Sequence, residues 1–247
     1  MLRGRRSEPT PSPPDGKALA STGPAQTSFP VGDFAVSLWD LASGNLVRRL
    51  PVPLGARVTS LAFSPDGKTL ATAGLNRAGV NTPIILWDVT TGKELSRFTE
   101  PKGETPVVMS DCRLTFSDGG KTLVWVYWTW GLTGPNPAQV SEWDPTTGRK
   151  RRPSRELPFG LDFRAFSPDG KAAAFADKSH VVRVLDLATG EETHRFAGHK
   201  GQVLYAAFSS DGKTLATGGL DATLLLWDLT SPARDRAGGA SRPAPRR

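Results

Sequence analysis

Few residues in this 247-residue chain have the types and spacing for chemistry. His199 and Asp221, with serines nearby, invite a nucleophilic triad, in which a histidine takes a serine proton and a carboxylate orients the imidazole. No G-x-S-x-G elbow accompanies them to lift a serine onto a strained turn. His194 and His199 stand five apart with no third ligand in view, so no metal is expected, and no cofactor either. Cys112 is the single cysteine; it excludes an intrachain disulfide framework and reads as a small core residue rather than a nucleophile. Neither G-x-x-x-x-G-K-[ST] nor G-x-G-x-x-G occurs, and the recurring Asp-Gly-Lys triplets read as turns, not phosphate loops. What remains is contact chemistry. Trp128 and Trp130 lie beside an insert, 131–139, that contains Pro135 and Pro137. Arg149, Lys150, Arg151, Arg152 and Arg155 form a basic run that reads first as a solvated edge strand.

The elements that would position these residues repeat. In residues 199–229, short apolar runs at 203–208, 214–217 and 223–228 are separated by turn signals, the first being Asp211-Gly212. No run is long enough for a stable helix, and Val, Leu, Thr, Tyr and Phe favour strands. Asp-Gly recurs at Asp15, Asp66, Asp118, Asp169 and Asp211, at intervals of 51, 52, 51 and 42 residues. A strand-ending pair recurs at Trp39-Asp40, Trp87-Asp88, Trp143-Asp144, Leu185-Asp186 and Trp227-Asp228. In four units a glycine follows that Asp by four residues: Gly44, Gly92, Gly148 and Gly190. Four short strands per unit, repeated about every 40–50 residues, predict propeller blades.

Residues 199–229 also carry a Gly-His opening at Gly198-His199, an F-S-x-D-G-K turn, an L-A-T-G-G strand and a Trp-Asp end. In these motifs the chain, over 14–229, resembles the WD40 family. The resemblance implies an all-β, WD40-type β-propeller of about five four-stranded blades. Residues 1–13 read as a disordered basic, Pro-rich lead-in and 230–247 as a disordered basic tail. The first blade lacks its first strand and the last its fourth. Position 232, where a turn glycine is due, is Pro232. The count points to an incomplete array or a segment of a longer propeller, and the turn-rich repeats resemble those of larger multidomain bacterial proteins. Open sheet edges would then favour self-association or pairing with missing blades. The resemblance further implies a structural hydrogen-bond tetrad of His199, Thr217, Asp221 and Trp227, carried over for the last blade alone. Losing one member would cost about 1–3 kcal/mol per group left unpaired. Blade two has Asn81 and blade three Pro137 at the Asp221 position, while blade four has Phe175, Ser179 and Leu185 for Thr217, Asp221 and Trp227. These blades are expected to rely on apolar packing.

The net charge of +7 sits mostly in the tails, which argues against a nucleic-acid-binding body. No apolar run approaches the ~20 residues of a membrane span, and no apolar segment follows Arg3, Arg5 and Arg6, so a cytoplasmic location is expected. The expected function is a non-catalytic scaffold for a protein partner, with Trp128, Trp130, Arg151 and Arg152 as the candidate surface. The alternatives are a catalytic propeller of hydrolase or lyase type, and an anionic-ligand or nucleic-acid binder using the Arg-rich segments.

Overall fold

The computed structural model describes residues 16–24, 34–52, 57–75, 83–99, 108–131, 134–135, 137–158 and 160–231. The lead-in 1–13, Asp15, Asn81 and the tail from Pro232 onward lie outside the described residues. The strands form five antiparallel sheets. Sheet one is β1 (Ala18–Pro24), β2 (Phe34–Asp40) and β3 (Leu46–Pro51), in that order. Sheet two is β4 (Arg57–Phe63), β5 (Thr69–Leu75), β6 (Ile84–Asp88) and β7 (Glu94–Phe98). Sheet three holds β8 (Val108–Ser117), β9 (Thr122–Gly131), β10 (Gly134–Pro135), β11 (Gln139–Trp143) and β12 (Arg155–Glu156). Sheet four is β13 (Asp162–Phe166), β14 (Ala172–Ala176), β15 (Val182–Asp186) and β16 (Glu192–Phe196). Sheet five is β17 (Val203–Phe208), β18 (Thr214–Gly219) and β19 (Leu224–Asp228). Among the described residues the first and last sheets thus have three strands each, the first missing its opening strand and the last its closing one.

Sheet three departs most from expectation. Its first strand, Val108–Ser117, is ten residues long, and the insert folds back as β10, Gly134 opposite Gly131 and Pro135 opposite Trp130. Its last strand is only Arg155–Glu156, preceded by a bridge between Trp143 and Lys150, so the basic run borders a sheet edge.

Two turns, copied from unit to unit, set the register. Between first and second strands, Ser64 Oγ donates to Asp66 Oδ1 (2.6 Å) and accepts the Thr69 N–H (2.9 Å). Ser167–Asp169 and Ser209–Asp211 repeat this. After the strand-ending Trp-Asp pair (Leu185-Asp186 in sheet four), the glycine four residues on from the Asp donates its N–H to the Asp carbonyl at 2.7–2.8 Å in sheets one to four. That closure needs a left-handed residue, and Gly44, Gly92, Gly148 and Gly190 have φ of 69°, 72°, 64° and 78°.

The chain forms two compact units, Met1–Asn136 with Ser141–Ser154, and Pro137–Val140 with Arg155–Arg247. In both, the alternating side chains of the inner strands make two apolar faces. In the first unit, Ala20, Val36 and Leu38 of sheet one pack on Val58, Leu70, Ile85 and Trp87 of sheet two. The opposite face of sheet two, Ala62, Ala71, Ala73, Ile84 and Leu86, packs on Cys112, Leu114, Leu123 and Trp125 of sheet three. In the second unit, Ala174, Ala176, Val182 and Val184 of sheet four meet Val203 and Leu215 of sheet five. The covering rule is constant. The face bearing the residues one and three before the strand-ending Trp (the forward face) meets the next sheet's Trp-bearing rear face.

A last-strand residue of the earlier sheet completes each junction. Phe98 stacks on Trp143 at 5.1 Å and Phe196 on Trp227 at 4.9 Å between ring centroids. Arg48 donates to the Thr90 carbonyl (3.1 Å) and lies against Gly92, while Arg155 donates to the Ala188 carbonyl beside Gly190.

Gly74, on β5, tests how closely backbones approach. A Cβ there would run into the Arg57 carbonyl oxygen, with the Val58 backbone 2.8 Å away, whereas a Cβ on Gly23 meets nothing within 4 Å. Gly74→Ala is expected to lower stability by about 1–3 kcal/mol and Gly23→Ala to leave it nearly unchanged, read from urea-unfolding midpoints.

Candidate functional site

The richest polar constellation lies at the start of sheet five. The tight approach of the segment before β17 to the β18–β19 turn carries His199 next to that turn, where Gly219 and Gly201 leave room for it. Trp227 Nε1 donates to Thr217 Oγ1 (2.7 Å), Thr217 Oγ1 meets His199 Nε2 (2.8 Å), and His199 Nδ1 lies 3.1 and 3.2 Å from the Asp221 oxygens. Asp221 also accepts the N–H of Lys200 (2.7 Å) and of Thr223 (3.1 Å), and the Thr223 hydroxyl (2.7 Å). The direction of the chain follows from what each group can do. An indole only donates, a hydroxyl relays, an imidazole has one nitrogen for each role, and a carboxylate only accepts. His199 and Thr217 are buried and Asp221 is nearly so. Burial pushes the Asp221 carboxyl up, but the hydrogen bonds from Thr223, Lys200 and His199 outweigh it and hold it well below the usual carboxylate range.

Part of this chain reaches further than the sequence reading allows. Trp87 Nε1 donates to Thr72 Oγ1 (3.0 Å) in sheet two, and Trp39 Nε1 to Ser21 Oγ (2.9 Å) in sheet one. Register explains it: Trp227 pairs with Leu215, Trp87 with Leu70 and Trp39 with Leu19, and the hydroxyl stands two residues after each leucine. These sheets are therefore not held by apolar packing alone. The readable signal was a Ser or Thr at one fixed offset. In sheet three Trp125 takes the hydroxyl's place, and the buried Trp143 indole N–H finds no acceptor among the described residues. Sheet four substitutes Phe175 and Leu185, both fully buried, and needs no polar partner.

The strand-ending aspartates are turn residues. Asp40, Asp88, Asp144 and Asp228 accept backbone N–H groups two or three residues on, at 2.6–3.0 Å, and Asp186 does the same at 2.7 and 2.8 Å. Hydrogen bonds, led by the Ser43 hydroxyl for Asp40 and by the Thr91, Thr147 and Thr230 amides for the others, hold the first four carboxyls below the usual range. Cys112 is fully buried, 3.2 Å from Thr59 Oγ1, and burial pushes its thiol up to about 11, so it is a thiol and not a thiolate at neutral pH.

The four candidate contact residues do not form one patch. Trp128 and Trp130 lie near the end of β9, Trp128 half-buried and opposite Asp111; the Trp130 side chain lies outside the described residues. Arg151 donates to the Lys121 carbonyl (2.7 Å) at the beginning of β9, with Asp144 at 3.5 Å, and Arg152 pairs with Glu142 at 2.9 Å. Seven residues of strand separate Lys121 from Trp128, roughly 20 Å.

Comparison with known proteins gives the same picture. A family model described as "WD domain, G-beta repeat" matches residues 44–78 and 190–228. A serine-threonine kinase receptor-associated protein of Dictyostelium discoideum is 26% identical over 58% of this chain and 43% of its own length. WD repeat-containing protein 1 of Bos taurus is 39% identical over 28% of this chain and 11% of its own. The target of rapamycin complex subunit wat1 of Schizosaccharomyces pombe is 33% identical over 38% and 30%. The chain thus spans less than half the length of these relatives. The β-propeller domain of Cps50 (Swd1) from Myceliophteria thermophila superimposes with a TM-score of 0.60 at 18% identity, over 92% of this chain and 67% of that one.

Thr217→Val is expected to cost about 1–3 kcal/mol, because it strips partners from both Trp227 and His199. Thr72→Val, which strips only Trp87, should cost less, about 1 kcal/mol, both read from chemical denaturation. The depressed Asp221 carboxyl contributes stability above its unfolded value of about 4, and this is lost as pH falls through the lower native value. The stability gap between wild type and Asp221→Asn should be widest at neutral pH and begin to narrow below about pH 4, read from unfolding midpoints across pH.

Proposed function

We propose that this chain, a WD40-repeat β-propeller protein, is a non-catalytic scaffold that holds protein partners on its loops and rims. The observation that carries the reading is how the His199 constellation is spent. His199 and Thr217 are buried and, with Asp221 and Trp227, bond one another and the Lys200 and Thr223 amides, an arrangement that ties the blade together rather than facing a substrate. The turn aspartates are spent likewise on backbone N–H groups. The names of the matched relatives, a receptor-associated protein and a complex subunit, agree with a role in assembly.

The end of β9 at Trp128 and Trp130, with the insert that follows, is the partner surface in this reading. Arg151 and Arg152 serve a second, smaller contact at the other end of the strand, since both are already engaged by Asp144, Glu142 and the Lys121 carbonyl. That engagement favours a protein partner over an anionic ligand or nucleic acid at this run. A cytoplasmic location belongs to the same proposal; no helix among the described residues is long and apolar enough to cross a membrane.

Affinity capture on the immobilised full chain, quantified by mass spectrometry, tests this. Wild type should recover a defined protein set that Trp128→Ala with Trp130→Ala reduces about tenfold or more. Equal recovery would remove the aromatic surface, and turnover of a peptide or glycoside by the purified chain would overturn the non-catalytic reading.

A further inference from the structure

The basic run 149–155 contains one hydroxyl residue, Ser154, which follows Arg151, Arg152 and Pro153. Those three are exposed and Ser154 is partly so, and residues 151–154 run through a bend outside any strand. The strand that follows, β12, has only two residues. So short a strand puts the segment at the low end of local stability, where it can open without disturbing the rest of the sheet. Two other serines have an arginine three residues before them, Ser60 after Arg57 and Ser167 after Arg164. Both are buried, 6 and 9% exposed, and neither has a second arginine beside the first. Ser60 lies within β4 and accepts the Leu114 N–H (2.8 Å), and Ser167 closes its turn on Asp169. Among the described serines only Ser154 combines two preceding arginines with an exposed approach.

The hydroxyl also has a cation beside it. Lys150 Nζ donates to Ser154 Oγ at 2.7 Å, and Ser141 Oγ stands 2.8 Å from the same oxygen. Lys150 is steadied by the buried Trp143, whose ring centroid lies 5.4 Å from Nζ. An anion attached to Ser154 Oγ would therefore meet a positive charge that the fold has placed there beforehand.

We propose that Ser154 is a phosphorylation site for a protein kinase that reads arginines ahead of its target serine. Such a kinase selects substrates by charge pattern, and Arg151 and Arg152 supply the pattern three and two residues before the acceptor. In the step, Ser154 Oγ bonds to the γ-phosphorus of ATP, and the bond from that phosphorus to the bridging oxygen breaks. ADP leaves with the electron pair, and the hydroxyl proton passes to the catalytic aspartate of the kinase. The phosphate brings about −1.5 to −2 charges at neutral pH. It enters a run that carries five positive ones, Arg149, Lys150, Arg151, Arg152 and Arg155. The bond from Lys150 then runs to an anion instead of a neutral hydroxyl, and Ser154 loses the hydrogen with which it can donate to Ser141. The site rests on this loop and not on the scaffold reading, so either can fail alone.

The test incubates the folded full chain with ATP and the catalytic subunit of a cyclic-AMP-dependent protein kinase, and maps phosphate by mass spectrometry. Ser154 should be modified, and Ser154→Ala should lose that signal with an unchanged circular dichroism spectrum. Arg151→Gln with Arg152→Gln should slow modification about tenfold or more, glutamine keeping a donor for the Lys121 carbonyl and for Glu142. A second readout follows the phosphorus resonance of the modified chain against pH. Lys150 should hold the second ionisation of the phosphate about 0.5 unit or more below its value in Lys150→Gln. An ionisation that Lys150→Gln leaves unchanged overturns the part given to Lys150. Phosphate on Ser7 or another hydroxyl with Ser154 bare overturns the site, and so does no phosphate at all. Modification of Ser154 only in a heat-unfolded chain overturns it too, as does a rate that the two glutamines leave unchanged.

Discussion

A sheet of short strands with apolar side chains on both faces has no wet side, and this organises the whole molecule. An antiparallel sheet in a two-layer fold can leave one face polar. In this chain Ala71, Ala73, Ile84 and Leu86 look one way and Leu70, Ile85 and Trp87 the other, and all are buried. Such a sheet is stable only between two neighbours, so the repeat is a unit of packing as well as of sequence. The small alanines on the middle strands follow from this: Ala71, Ala73, Ala174 and Ala176 let large rear-face residues of the next sheet approach.

Within that constraint the tryptophans are both useful and demanding. Trp87 and Trp143 fill the space between sheets, and Trp227 packs against Phe196, but each brings an N–H that must be satisfied once dry. The chain meets the demand to different degrees. Sheet five has a four-member relay, sheets one and two stop at a hydroxyl, and sheet four replaces donor and acceptor together by Leu185 and Phe175. Replacing both partners by apolar groups is the inexpensive change, while replacing one is not. Trp143 is the case where the acceptor has gone and the donor remains, and its ring is held instead by Phe98 at 5.1 Å and by Lys150 5.4 Å from its centroid.

The functional reading follows from where polar groups are consumed. Residues that look reactive in the sequence, His199 with Asp221 and the repeated Asp-Gly and Trp-Asp pairs, close turns or complete the relay. In the proposed reading recognition falls to the inserts and rims, which differ from sheet to sheet more than the internal faces do. A structure that spends its chemistry on holding shape is well suited to presenting varied loops on a constant frame.

Local signals were legible in the sequence because their causes are local. Asp-Gly and Asp-x-x-x-Gly close turns through bonds within five residues, and period-two alternation separates Leu123, Trp125 and Tyr127 from Val124 and Val126 whatever packs on them. Strand positions and the repeat could therefore be read residue by residue, whereas the His199 relay, which joins groups from separate strands, came only with the resemblance to the WD40 family. Contacts made between sheets could not, because they join residues about 30 to 50 apart whose partners depend on register. Arg48 on the Thr90 carbonyl, Phe98 on Trp143, the separation of Arg151 from Trp128 along β9, and the division into two units all required the folded chain. Only tertiary structure decides what covers each apolar face: alternation puts Ile84 and Leu86 on one side and Ile85 and Trp87 on the other, and it is the fold that lays sheet three on the first and sheet one on the second to exclude water.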